Sequence, residues 1–133
     1  GARIGQGVLV RPTAEITYPW KLSIGDYSWI GDAAVLYSLG HITIGAHTVI
    51  SQHAYLCAAT HAINDILFTQ YAKPIDIGSE CWIATDVFVS AGISIGNGTI
   101  VGARSTVLHD LPAGMICYGY PARPVRPRIV KPR

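Results

Sequence analysis

The stretch Ile75–Val107, "IDIGSECWIATDVFVSAGISIGNGTIVGARSTV", decides the architecture. Within it Ile77, Ile83, Val89, Ile95, Val101 and Val107 recur every six residues, and each is aliphatic. The residue that follows is usually small, as at Gly78, Ala84, Ser90, Gly96 and Gly102. That pairing describes a short strand ending in a bend where a bulky side chain would collide. A short period sustained over this length is a repeat signature, and it takes precedence over local propensity. No helical period of about 3.6 residues competes over any long window.

The same rhythm runs back to the start of the chain through Ile4, Val10, Ile16 and Leu22, then Ile24, Ile30, Leu36 and Ile42, then Ile44, Ile50 and Leu56. Ile–Gly pairs begin at Ile4, Ile24 and Ile44, twenty residues apart, and at Ile77 and Ile95, eighteen apart. Three hexads therefore make one coil, and the early coils carry two extra residues at one corner, in "PWKLSIG" and "LGHITIG". The expected fold is all-β: a single-stranded parallel β-helix of triangular coils whose aliphatic residues pile into an axial core. Periodicity does not set its hand, and the general preference for right-handed crossovers would favour a right-handed helix. "AKPIDIG" matches the corner once residues 62–74 are removed, so those thirteen residues are an insertion that leaves the third coil directly after His61.

At 133 residues and 14.2 kDa the chain forms one domain over 1–133, with a short C-terminal extension expected from about residue 111. Half the residues are apolar and only 14% are charged, which is lean for a monomer of this size. A solenoid that hides some outer faces in an oligomer accounts for the deficit. The formal charge of +2 gives no electrostatic case for nucleic acid, and six of the ten basic residues lie between Ala103 and Arg133. No apolar run approaches the length of a membrane span and no signal peptide precedes the repeats, so no membrane insertion is expected. Cys57, Cys81 and Cys117 are odd in number and form no CxxC, the pattern of buried thiols in a cytoplasmic protein. The chain opens at Gly1, inside a coil and without an initiator Met, and reads as a piece lacking an N-terminal segment.

The hexads, the segment looped out after "ATH", and "CWIATDVFVSAGISIGNGTIVGARSTV" followed by "DLPAGMICYGYPARPVRP" closely resemble the hexapeptide-repeat acyltransferases. Within these the chain is most similar to the colanic acid biosynthesis acetyltransferases, with galactoside and maltose acetyltransferases as more distant relatives. The resemblance implies a left-handed helix, a homotrimer, and acetyl-CoA bound in clefts between adjacent subunits. It also implies that the loop projects toward a neighbour and that His61, at its base, is the general base. An imidazole of pKa near 6.5 suits that task, because an acceptor hydroxyl is a poor nucleophile at neutral pH. Read from the residues alone, His61 is first a surface or core histidine at a coil corner, and a catalytic base only second.

Many relatives carry Asp directly after this His; here the position is Ala62. The group that orients His61 is then a backbone carbonyl, or it comes from Asn64 or Asp65. The resemblance places Trp82 beside the cofactor arm, although an aromatic residue there would equally cover a subunit contact. It places Thr85 and Ala103 along the pantetheine, where small residues are needed, as they are at any β-helix corner. Arg123 and Arg126, in "GYPARPVRP", match arginines that meet CoA phosphates, and guanidinium groups suit phosphate; the alternative is a solvated basic tail. Leu108 and His109 stand where relatives often have Thr-Lys touching the cofactor. Asp32, Tyr37 and Ser38, one coil before His61, are candidates for the acceptor.

His41, His47 and His53 are six apart, which puts them on different faces of a triangular coil and does not gather ligands around one ion, so no metal is expected. The leading function is acetyl-CoA-dependent O-acetylation of a hydroxyl on a sugar or polysaccharide precursor. The alternatives are N- or O-acetylation of a non-sugar small molecule, a hexapeptide-fold zinc lyase, and a catalytically silent assembly scaffold.

Overall fold

The computed structural model describes residues 1–133. Its strands are two to three residues long until the C-terminal hairpin, and they assemble into three parallel sheets that form the sides of a prism. In the first sheet Ile4, Ile24, Ile44, Ile77 and Ile95 lie in register. The second sheet aligns Val10, Ile30, Ile50, Ile83, Val101 and Cys117. The third aligns Ile16, Leu36, Leu56, Val89 and Val107. The columns read from the sequence are thus the columns of the core, and from Leu22 onward their members are essentially inaccessible. Each such side chain contributes about 1.5–3 kcal/mol on burial, which lets a stack of two-residue strands hold together. No helix is long and apolar enough to cross a membrane.

Three details separate the expected from the observed. First, the small residue after each aliphatic is required by the next coil more than by the bend: a Cβ on Gly25 would lie 2.6 Å from the Ala46 nitrogen, and one on Gly45 would lie 2.5 Å from the Ser79 nitrogen. Second, the solenoid runs past residue 111. Leu111 bridges to Ile95 and Met115–Gly119 continues the second sheet, so the chain leaves the stack only where Ala122–Pro127 folds back antiparallel. Third, the insertion is a β-hairpin that starts before His61. Ala59–His61 pairs antiparallel with Gln70–Ala72, so His61 ends a strand of the arm and faces Gln70 in register. The returning strand passes so close to the second coil that a Cβ on Gly40 would sit 2.6 Å from the Lys73 carbonyl oxygen.

A polar ladder lies inside one corner. Ser28, Thr48, Cys81 and Thr99 are buried, and each donates to a carbonyl one coil on: Gly45, Gly78, Gly96 and Pro112 respectively, at 2.6, 2.7, 3.1 and 2.6 Å. Ser28 and Thr48 also accept from the amides of Thr48 and Cys81. Turn carbonyls that the sheets do not use are satisfied this way, which buried backbone groups demand. Burial pushes the Cys81 and Cys117 thiols up from the usual range, as expected for inert interior cysteines.

Candidate active site

The hairpin arm carries its polar groups around His61. The His61 ring is exposed, and its Nδ1 lies 2.6 Å from the Phe68 carbonyl oxygen. A carbonyl can only accept, so this bond puts the proton on Nδ1 and leaves the Nε2 lone pair free in the neutral ring. The orienting group is therefore a main-chain carbonyl, and neither Asn64, exposed in the turn, nor the Asp65 carboxylate bonds the ring. Asp65 serves the turn itself: Oδ1 accepts from the Leu67 amide at 3.0 Å, and Oδ2 accepts from the Thr69 amide at 3.3 Å and from the Thr69 hydroxyl. The Thr69 hydroxyl, and after it the Leu67 amide, hold the Asp65 carboxyl below the usual carboxylate range.

The remaining candidates fall into two groups. Tyr37, Leu108 and His109 share with His61 the third sheet's exit toward the first, and the Tyr37 hydroxyl receives a long bond of 3.4 Å from Gln70 on the arm. Ser38 is here too but is fully buried, and its hydroxyl both donates to the Tyr18 carbonyl and accepts from the Tyr18 amide. The expectation that Ser38 meets an acceptor is corrected accordingly: its hydroxyl is a structural clamp between coils. Trp82, Arg123 and Arg126 belong to the second sheet, and Thr85 and Ala103 to the corner where that sheet leads into the third. The Trp82 indole is half exposed, with its N–H donated to the Ser51 hydroxyl at 2.9 Å. Thr85 donates to the Gln52 carbonyl at 3.0 Å, which ties the corner together, and Ala103 is exposed one coil on. Arg123 and Arg126 are exposed on the strand that closes the sheet.

Asp32 lies on this second corner and not beside its own chain's His61. Its carboxylate accepts from Arg11 Nε at 3.1 Å and from Thr13 Oγ1 at 3.0 Å, and the Arg11 bond is the main reason its pKa is lowered. It borders a surface cleft lined by Leu9, Arg11, Trp29, Gln52 and His53, of which only His53 is singled out from sequence, and that as a possible metal ligand. Trp29 carried a signal all the same, since it occupies the same hexad position as Trp82. His47 and His53 occupy left-handed turn positions at separate corners, with φ of 54° and 60°, a conformation in which histidine is comparatively common. His41 stands at the third corner, and no cluster of three potential metal ligands exists.

No family model matches the chain. Individual proteins do. The chain is 57% identical over 129 residues to the protein of Escherichia coli K12 named as a colanic acid biosynthesis acetyltransferase, WcaF, covering 97% of this chain and 71% of that one. The chain belongs to the hexapeptide-repeat acetyltransferases. A hexapeptide-repeat acetyltransferase of Vibrio cholerae, solved with acetyl coenzyme A, superposes with a TM-score of 0.90 at 29% identity, covering 95% of this chain and 70% of that one. Galactoside acetyltransferase in complex with coenzyme A gives 0.90 at 26%, covering 94% and 64%. This hexapeptide-repeat acetyltransferase has the left-handed parallel β-helix of its family, in about 6 turns, and these two neighbours were solved with acetyl coenzyme A and coenzyme A. The second sheet carries an aromatic face at Trp82, small residues along its corner, and exposed guanidinium groups at its far edge.

Proposed function

We propose that this enzyme moves the acetyl group of acetyl-CoA to a hydroxyl of a sugar or polysaccharide precursor, within a homotrimer, with His61 as the general base. The observation that carries the reading is the Nδ1–H bond to the Phe68 carbonyl, which presents a free Nε2 lone pair on an exposed arm. Nε2 takes the acceptor's proton as its oxygen attacks the thioester carbonyl, and the imidazolium returns that proton to the departing thiolate. The products are an acetyl ester and CoA, and the Phe68 carbonyl stabilises the ring while it is charged.

The donor lies along the second sheet: Trp82 covers the arm of the cofactor, Thr85 and Ala103 leave it room, and Arg123 and Arg126 meet phosphate. Leu108 and His109, on the far side of the third sheet, serve a cofactor bound against the neighbouring copy. Apolar side chains on two of the three outer faces support a trimer: Leu9, Trp29, Val49 and Trp82 project from the second sheet, and Val35, Tyr55 and Phe88 from the middle of the third, between Glu15 and Thr106, whereas the first presents Ser23, Thr43, Asp76 and Ser94. A sugar acceptor suits the cleft at Trp29 and Asp32. An indole face matches the C–H face of a pyranose, and the Arg11–Asp32 pair neutralises itself, leaving hydrogen-bonding capacity without net charge. The names of the colanic acid and galactoside relatives point the same way.

The test is His61→Ala, assayed by thiol release with a cognate acceptor. Loss of a positioned base should lower kcat by about 10²- to 10⁴-fold, with acetyl-CoA affinity and thermal stability unchanged. Near-wild-type kcat in a folded, assembled variant would refute the mechanism.

A further inference from the structure

The arm's turn, Ala62–Thr69, has no hydrophobic anchor of its own. Ile63, Ile66 and Leu67 are at least 81% exposed and Phe68 is 58% exposed, so side-chain packing within the chain does not fix the carbonyl that holds His61. Phe68 also adopts φ of 48°, a left-handed conformation that an aromatic residue does not choose unaided. Something must hold both peptide units flanking Phe68.

We propose that Asp65 is a positioning residue for His61: its carboxylate ties the amides of Leu67 and Thr69, and thereby fixes the Phe68 carbonyl that sets the tautomer and aim of the catalytic imidazole. The three bonds to Asp65 bracket Phe68 on both sides. The main chain closes the same turn, with the Phe68 amide donating to the Asp65 carbonyl at 2.9 Å and the Ala62 amide to the Thr69 carbonyl at 2.9 Å. A carboxylate has enough acceptor sites to take all three donors at once, whereas an amide side chain offers only one oxygen. Asp65 thus does indirectly what an acidic residue beside the imidazole would do by contact: it orients the ring, here through a peptide carbonyl. The inference rests on His61 being the general base.

Asp65→Ala should lower kcat by about 10- to 100-fold, the cost of a small misplacement of a reacting group, while acetyl-CoA affinity and the melting temperature stay as in the wild type. Selective ¹⁵N-histidine NMR, with His61→Ala used to assign the signal, should find the Nδ1–H tautomer in the wild type and a shift toward Nε2–H in Asp65→Ala. Thr69→Val, which removes one donor, should move both readouts part of the way, and Thr69→Ser should restore them. A wild-type tautomer in Asp65→Ala, or a changed tautomer with kcat within about twofold of wild type, would overturn the proposal. If His61→Ala is inactive while Asp65→Ala is fully active, the role of Asp65 alone fails; if His61→Ala is active, the general-base reading fails first.

Discussion

Replacing Thr48 by Val is nearly isosteric and adds apolar surface to a fully buried site, so burial alone would make it neutral or stabilising. The hydrogen bonds argue the reverse. Thr48 Oγ1 donates to the Gly78 carbonyl at 2.7 Å and accepts from the Cys81 amide at 3.1 Å, and neither backbone group has another partner. Valine would leave both unsatisfied in the interior at about 1–3 kcal/mol each, partly offset by the extra methyl, for a net loss of about 2–4 kcal/mol. For a domain of this size each kcal/mol moves the melting temperature by about 3–5 °C, so a drop of about 6–20 °C is expected. Thr48→Ser keeps the hydroxyl and loses only a methyl, about 1 kcal/mol. Scanning calorimetry of both variants, at one protein concentration because assembly contributes to stability, should rank wild type above Ser and Ser above Val. Val at or above Ser would show that the ladder carries no weight and that packing alone holds the corner.

For the donor site, Arg123→Ala combined with Arg126→Ala should weaken CoA about 10- to 100-fold, with dephospho-CoA less affected. An unchanged CoA dissociation constant in calorimetry would reduce the two arginines to a basic tail. For assembly, light scattering should give three times the chain mass, and a monomer at micromolar concentration would contradict a site shared between copies.

The fold was legible because its signal is a side-chain period. Every core column from Ile4 to Val107 follows from the spacing of aliphatic residues, and the insertion is visible as the longest break in that spacing. The interior ladder was less legible. Ser28, Thr48, Cys81 and Thr99 each fall four residues after an Ile of an Ile–Gly pair, yet a hydroxyl in that place reads as an ordinary turn residue until the corner is seen to close over it. Ser38 is the converse case: its polarity suggested an acceptor contact, and its burial assigns the hydroxyl to the Tyr18 backbone. The partner of His61 could not be named from sequence for a more basic reason. It is a peptide carbonyl, which every residue carries, and only the turn conformation at Phe68 brings that one to Nδ1.

The same topology bears on how the site is completed. In one chain His61 leaves the third sheet toward the first, whereas Trp82, Thr85 and Ala103 lie on the second sheet and at its corner with the third. A whole face of the prism, carrying Tyr55 and Phe88, stands between the base and the proposed donor strip. The hairpin cannot close that gap within its own chain, because its strands are anchored at Ala59 and Ala72 on the third corner. Under the proposed function, a base and a donor that must meet within hydrogen-bonding reach of one hydroxyl would belong to different copies, each His61 acting on acetyl-CoA held against a neighbour's second sheet. That arrangement would also give the exposed Ile63, Ile66 and Leu67 a purpose that polar residues would not serve: they would supply apolar area for seating the arm on the adjoining copy, whose own second face is apolar. Catalysis would then depend on assembly through the arm, and a chain held monomeric would bind the donor poorly and transfer nothing.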